Sequence, residues 1–251
     1  MDKQGAGDIS RYEPLWGCWK LRRLLGCGPH GAVYAAEKEC LAGKEFCAVK
    51  HLSLPERKGE QLEALDHLLQ KNSAHTLPPI FVRWEEVSRE VRQDGTGIDI
   101  LIRMPLYTSL PQYRRTHVMT IDAVFQMADH ILEALSWLEQ NGRCHGDIKP
   151  ENILLDSRGR YYLCDAGLTQ ALDNMKVSSV DDRIALGQVL LALLPPSEEH
   201  LKEICTQAKT FPSADALRKE IALCRKQYPP MALSEIAAAC TAERETRSVS
   251  A

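Results

Sequence analysis

His145-Gly146-Asp147-Ile148-Lys149-Pro150-Glu151-Asn152-Ile153-Leu154-Leu155 (residues 145–155) places a carboxylate, an ammonium group and an amide on one short loop. Transfer of a phosphoryl group depends mainly on positioning and electrostatics, and each of these groups suits a separate task in it. Asp147 would accept the proton of an attacking hydroxyl. Lys149 would neutralise charge on the phosphoryl group, and Asn152 would hold a metal ion through its amide oxygen. Thirteen residues beyond Asn152, Asp165-Ala166-Gly167 follows the apolar run Tyr161-Tyr-Leu-Cys164. Asp165 is placed to supply a second metal contact. The competing reading is an ordinary helix-to-strand turn, but eight consecutive residues match one template.

Upstream, Gly26-Cys-Gly28-Pro-His-Gly31-Ala-Val33 lets a backbone approach phosphates with no Cβ in the way. A dinucleotide fold would need this loop to open a helix and an acidic residue about 20 positions on. Pro29 and the strand-like Ala32-Val-Tyr-Ala-Ala-Glu-Lys-Glu39 do not suit that. Nineteen residues after Gly31 stands Lys50, behind the buriable Cys47-Ala48-Val49. The pair matches a glycine flap over a nucleotide with a lysine on a following strand.

Around these motifs the chain reads as α+β in two lobes. Residues 1–14 form a polar lead-in. Residues 16–50 are strand-like, 56–71 an amphipathic helix carrying Leu62, Leu65, Leu68 and Leu69, and 80–87 and 98–104 two further strands about a turn at 93–97. After Met104 the pattern becomes helical. Residues 121–142 form a helix closed by Asn141-Gly142; a small hairpin pairs 153–155 with 161–163; helices follow at 182–194, 198–209 and 213–226. The boundaries are thus a first lobe over 15–104, a hinge and second lobe over 105–228, and a tail over 229–251 that reads as a last helix with a frayed end.

The 251 residues suffice for one large core, and the net charge of −3 gives no basic excess for a nucleic-acid partner. No run of 18 apolar residues is present, so no membrane span is expected, and the N-terminus has no apolar signal region. Nine scattered cysteines without a CxxC pair suggest a reducing compartment and buried, inert thiols.

Residues 15–225 resemble the eukaryotic-like Ser/Thr protein kinases, of the type also found in bacteria. Gly26–Val33 resembles the glycine-rich loop, Cys47–Lys50 the lysine strand, His145–Asn152 the catalytic loop and Asp165–Gly167 the magnesium motif. The resemblance implies a two-lobed fold with a β-rich N-lobe and a helical C-lobe. It implies ATP with Mg2+, or Mn2+ in its place, as cofactors and a protein hydroxyl as acceptor, in the cytoplasm. Lys149 is the Ser/Thr form rather than the tyrosine form. By the same resemblance Met104 is the gatekeeper, Pro105-Leu106-Tyr107 the hinge that meets the adenine, and Val33, Ala48 and Leu154 the residues that sandwich it. Asp182 would brace the catalytic loop. Lys50 would pair with a helix glutamate, Glu60 or Glu63, with Glu63 preferred.

The chain departs from that family at four places. Gly146 stands where an Arg usually clamps a phosphorylated activation loop. Only 16 residues separate Asp165 from Asp182, with no Ala-Pro-Glu motif. Ala166 replaces the phenylalanine of the magnesium motif, and the helix glutamate is not singled out by the leucine face. These departures imply a compact kinase that loop phosphorylation does not switch, constitutively active or turned on by a protein partner. Its layout is similar to effector kinases that bacteria inject into host cells. Two alternatives stay open: a small-molecule kinase of the aminoglycoside or sugar type, and a nucleotide-binding pseudokinase serving as an interaction module.

Overall fold

A computed structural model of the chain describes residues 9–28, 31–55, 59–71, 77–173 and 176–228. In chain order the first strands are β1 (Lys20–Gly28), β2 (Gly31–Cys40) and β3 (Gly43–Pro55), followed by α1 (Gly59–Lys71), β4 (Glu86–Val91) and β5 (Gly97–Pro105). Next come β6 (Thr108–Ser109), α2 (Leu110–Arg114), α3 (Ile121–Gln140), β7 (Ile153–Leu155) and β8 (Tyr161–Leu163). The chain closes with α4 (Leu168–Asp173), α5 (Ser179–Leu191), α6 (Glu199–Thr206) and α7 (Ala214–Arg225). Two compact units result: one runs to Tyr107 and includes 167–176, the other holds 108–166 and the residues from Val177 on. The first is the antiparallel β-sheet N-lobe and the second the helical C-lobe, an α+β arrangement.

The N-lobe sheet has the order β1-β2-β3-β5-β4, with every neighbour antiparallel. Alternate residues of a strand face opposite sides, and β3 uses both. Leu52 and Leu54 join Ile100 and Ile102 of β5, and this face packs against Leu65 and Leu68 of α1 and against Leu168 and Leu172 of α4. Cys47 and Val49 point the other way, to a cluster with Ala36, Leu101, Ile9, Leu15 and Trp19. The lead-in expected to be merely polar is therefore packed from Ile9 onward, and Ile9 itself is buried. Residues 1–8 and the tail 229–251 lie outside the described residues.

A buried carboxylate pins that lead-in. Asp99 on β5 accepts hydrogen bonds from Arg11 (2.5 Å), Tyr12 (2.7 Å), Arg92 (3.1 Å) and His51 Nε2 (2.9 Å). Burial pushes the Asp99 carboxyl up, but His51, Tyr12 and Arg11 outweigh it and hold the pKa at about 2.

In the C-lobe, α3 carries a wide apolar stripe and is nearly enclosed. Thr120 caps it by accepting from Ala123 N, and Gly142, at φ +62°, takes the left-handed position just past its end. A buried ion pair between Arg183 of α5 and Glu139 of α3 ties the helices together. The second Glu139 oxygen accepts from Ala214 N at the start of α7 (2.8 Å), and Arg183 also donates to Phe211 O (3.2 Å).

Several expectations need correction. The strand placed at 80–87 begins only at Glu86. Phe81, Val82 and Trp84 are buried outside the named strands, in a loop that follows Pro78-Pro79, so their burial and not a ladder explains the apolar run. Neither α2 nor α4 was foreseen. The thiols are not uniformly buried: Cys18, Cys27 and Cys40 are exposed, whereas burial raises Cys47 and Cys205 to about 12.

Because Asp99 has a depressed folded pKa, its stabilisation is complete above about pH 4 and is lost as pH falls toward 2. Asp99→Asn should cost about 3 kcal/mol at neutral pH, as breaking a buried pair does. The gap to wild type should close as urea unfolding is repeated from pH 6 down to pH 2.

Candidate active site

The site residues fall into two sets, one in each unit. In the N-lobe, cross-strand register brings Val33 opposite Lys50 and Met104 opposite Ala48. With alternation along β3, Val33, Ala48, Lys50 and Met104 share one face of the sheet, the face whose other end holds Leu52 and Leu54 against α1. Ala48 and Met104 are buried, while Val33 and Lys50 are half-buried. Pro105 ends β5, and Tyr107 follows it, also half-buried. Glu63 is exposed on α1 and forms no ion pair among the described residues.

The three glycines of the flap differ in what they are for. Gly31 has φ +148°, and a Cβ there would lie 1.8 Å from the His51 carbonyl oxygen, so the β2–β3 crossing itself demands glycine. Gly26 and Gly28 have nothing described within 4 Å of an added Cβ. The packing of the described residues does not require them to be glycine. Their bareness suits close approach of a ligand's phosphates to the backbone.

The C-lobe set is built on the loop between α3 and β7. Asp182, in the first turn of α5, accepts from the backbone N–H of His145 (2.6 Å) and of Gly146 (2.9 Å). Burial raises the Asp182 carboxyl, and these two donors oppose that rise. Ser178 and Asp181 cap α5 reciprocally, which fixes the turn that carries Asp182. Gly146 sits at φ +84°, a conformation that costs an L side chain about 1–2 kcal/mol. The loop thus uses its glycine in a backbone role, in addition to the loss of the usual arginine.

His145 is fully buried and uses both ring nitrogens. Nε2 donates to Cys164 O (2.7 Å), and Nδ1 accepts from Asp147 N (3.2 Å). Only the neutral Nε2–H tautomer satisfies both bonds, and burial lowers its pKa in the same direction. The ring therefore joins the catalytic loop to the residue before Asp165. Asp165 itself holds φ +64°, a left-handed conformation unusual outside glycine.

Asp147 Oδ2 receives Lys149 Nζ at 2.6 Å and Asn152 Nδ2 at 3.1 Å; the same amide also donates to Asp147 O at 2.8 Å. Burial raises the Asp147 carboxyl, but Lys149 first and Asn152 next bring it below its ordinary range. It is a carboxylate at neutral pH, aimed by two donors. With the Asn152 nitrogen spent on Asp147, its Oδ1 meets, among the described residues, the weak Cys164 thiol at 3.8 Å. An amide oxygen and the Asp165 carboxylate are the hard donors that Mg2+ or Mn2+ prefers, so the residues fit such an ion. Leu154, on β7, is half-buried and pairs with Tyr162.

Two features escaped the sequence reading. His145 has no local signal for the hydrogen bonds of its two ring nitrogens, because the Cys164 carbonyl that fixes the ring lies 19 positions away and arrives by folding. Leu168 and Leu172 do carry a signal, their i,i+4 spacing. They pack on Leu65 and Leu68 of α1, and Gly167, at φ +79°, would bring a Cβ within 3.1 Å of Leu68. Ala166 is buried and too small to supply a large apolar contact, while the leucines beyond it do so within the N-lobe unit.

The protein kinase domain family matches residues 19–183. The chain is 32% identical over 171 residues to CBL-interacting protein kinase 4 of Oryza sativa, covering 65% of this chain and 36% of that one. It is 30% identical over 169 residues to mitogen-activated protein kinase kinase kinase 1 of Arabidopsis thaliana, covering 65% and 25%. It is 24% identical over 172 residues to a probable serine/threonine-protein kinase of fowlpox virus, covering 60% and 53%. It therefore spans roughly a quarter to a half of the length of these relatives, which are plant and viral proteins. With a braced catalytic loop, a lysine strand beside a glycine flap and a family match across two thirds of its length, the chain belongs to the protein kinase family.

Proposed function

We propose that this protein is an active Ser/Thr protein kinase that moves the γ-phosphoryl group of ATP to a protein hydroxyl. The observation that carries this reading is the Asp147 carboxylate, ionised and aimed by Lys149 and Asn152 on a loop braced by Asp182. Asp147 takes the proton of the acceptor hydroxyl, and Lys149 lies close enough to the base to neutralise charge on the transferring group. Lys50 is assigned to the nucleotide phosphates, and Gly26, Gly28, Val33, Ala48, Met104, Pro105, Tyr107 and Leu154 to the flap and the adenine. Asn152 and Asp165 would hold the divalent metal, which when bound supplies positive charge to the phosphates. Lys149-Pro150-Glu151 after the base favours a protein acceptor over a small alcohol.

Loop phosphorylation is not needed for this activity in our reading. The short segment after Gly167 is already helical, with Leu168 and Leu172 in the N-lobe core, and Gly146 provides no cation for a loop phosphate. An activating protein partner is compatible with this. No helix among the described residues is long and apolar enough to cross a membrane.

Incubation with labelled ATP and Mg2+ or Mn2+, with and without a generic protein substrate, tests the activity. Asp147→Asn should lower kcat about a hundredfold or more with nucleotide binding retained. Turnover only with small alcohols would favour a small-molecule kinase, and thermal stabilisation by nucleotide without turnover a pseudokinase. Asp182→Asn should reduce activity and cost about 1–3 kcal/mol in urea unfolding, because an amide cannot accept from both N–H groups as a carboxylate does. The combined Thr169→Ala, Ser178→Ala and Ser179→Ala variant should keep kcat within about threefold of wild type, allowing about 1 kcal/mol for the lost Ser178 cap. Loss of activity restored by a phosphate in that segment would overturn phosphate-independent control.

A further inference from the structure

Beside the catalytic loop, within the C-lobe, lies a cleft of about 380 Å3 lined by Pro111, Arg114, Arg115, Pro150 and Glu151. We propose that it binds an acidic side chain of the protein substrate, close to the hydroxyl that receives the phosphoryl group. The proposal rests on the protein-kinase reading above and adds to it a class of substrate.

The arginines are held on a fixed turn. Leu110 anchors α2 in the core with no exposure, Ser109 accepts from Gln112 N, and Arg115 N donates to Gln112 O (3.2 Å). His117 stacks on Tyr113 at 4.2 Å between ring centroids, which secures the exit from the helix. The other wall, Pro150 and Glu151, belongs to the 3-10 turn that contains Asn152, and α2 packs against that turn.

Both arginine side chains are exposed, and neither forms an ion pair among the described residues. Several arginines elsewhere find carboxylates: Arg89 pairs with Asp66, Arg103 with Glu85 and Glu86, Arg218 with Asp129 and Glu133, and Arg225 with Asp122. Arg23, Arg83, Arg158 and Arg160, by contrast, are exposed without an ion pair among the described residues, so it is the pairing of two such guanidinium groups in one cleft that marks Arg114 and Arg115. Glu151 lines the same cleft yet reaches neither Arg114 nor Arg115 within ion-pair distance. Two guanidinium groups against one carboxylate leave the cleft with net positive charge. A guanidinium matches a carboxylate with two parallel hydrogen bonds, which gives direction as well as attraction.

Position makes this a substrate site. Glu151 follows Asp147 by four residues, so the cleft lies within about 14 Å of the base along the chain. An extended peptide advances about 3.3 Å per residue, so the acidic residue should fall within about four positions of the acceptor.

The test uses nonapeptides with a central Ser or Thr and Glu, phosphoserine, Ala or Lys at each flanking position. Wild type, Arg114→Ala/Arg115→Ala and Arg114→Glu/Arg115→Glu are compared by kcat/KM ratios. Fluorescence anisotropy of the same labelled peptides measures binding without turnover. Wild type should prefer Glu over Ala by about fivefold to tenfold at one position, as a charge-assisted contact gives. The preference should vanish in the double-alanine variant and turn toward Lys in the double-glutamate variant. Turnover without a Glu preference, or a preference that survives both variants, overturns the site. Phosphoserine favoured over Glu at that position overturns the acidic side chain in favour of an already phosphorylated substrate. Glu-peptide binding that the variants abolish, with no turnover by wild type, would sink the kinase reading and leave the acidic site standing. No binding and no turnover overturns both.

Discussion

The Asp182 carboxylate, accepting the backbone N–H groups of His145 and Gly146, is the constraint on which the His145–Asn152 loop of this molecule depends. A buried carboxylate tolerates its position only when donors are supplied, and buried N–H groups likewise need an acceptor. Each side therefore fixes the other. With His145 held from its backbone, its ring can span from Cys164 O to Asp147 N, which sets Asp147 relative to the strand that leads into Asp165. Asp147 then receives Lys149 and Asn152, which leaves the amide oxygen of Asn152 facing the Cys164 thiol. Two hydrogen bonds to one carboxylate of α5 thus orient the Asp147 carboxylate, the Lys149 ammonium group and the Asn152 amide. The turn of α5 that carries it is secured by its own capping box and by the adjacent Arg183–Glu139 pair.

The N-lobe sheet is organised by a different economy, in which both faces are used. The inner face is continuous from Val33, Ala48, Lys50 and Met104 into the leucines and isoleucines that meet α1 and α4. The outer face is covered by Ile9, Leu15 and Trp19, with Asp99 sunk among Arg11, Tyr12, His51 and Arg92. Covering both faces removes the sheet's freedom to present a bare apolar side to water. It also gives the chain before β1 a structural role that its polar composition conceals. On the inner face, Leu168 and Leu172 add apolar contact to α1 just after Asp165-Ala166-Gly167, whose own middle residue is alanine.

Much of the fold was legible. The helical period of 56–71 and 121–142, the hairpin at 153–163 and the later helices match the observed elements to within a few residues, because amphipathic spacing reports a face that must be buried. The failures have physical causes. Phe81, Val82 and Trp84 are apolar because they are buried, and burial alone does not distinguish a strand from a packed loop. The lead-in reads as polar since Arg11 and Tyr12 only make sense once Asp99 lies beneath them. Helix α4 has just six residues, so its signal is the single i,i+4 pair Leu168 and Leu172, one repeat of a period and too little to set it apart from a loop. Three of the described cysteines are exposed, as composition cannot say which face a thiol occupies.

What the sequence by itself determined was a candidate set, Lys50, Asp147, Lys149, Asn152 and Asp165; within it Asp147, Lys149 and Asn152 are close enough along the chain for loop-local spacing to bring a carboxylate, a cation and an amide together. What only the tertiary structure decided was how those groups are held and addressed. The brace on the catalytic loop comes from a carboxylate 36 and 37 positions away, the His145 tautomer from a carbonyl 19 positions away, and the Asp99 cluster from residues 87 and 88 positions away. The arginine-lined cleft likewise joins α2 to a loop more than thirty residues on. Such contacts follow from chain closure and packing, which no short window of sequence contains.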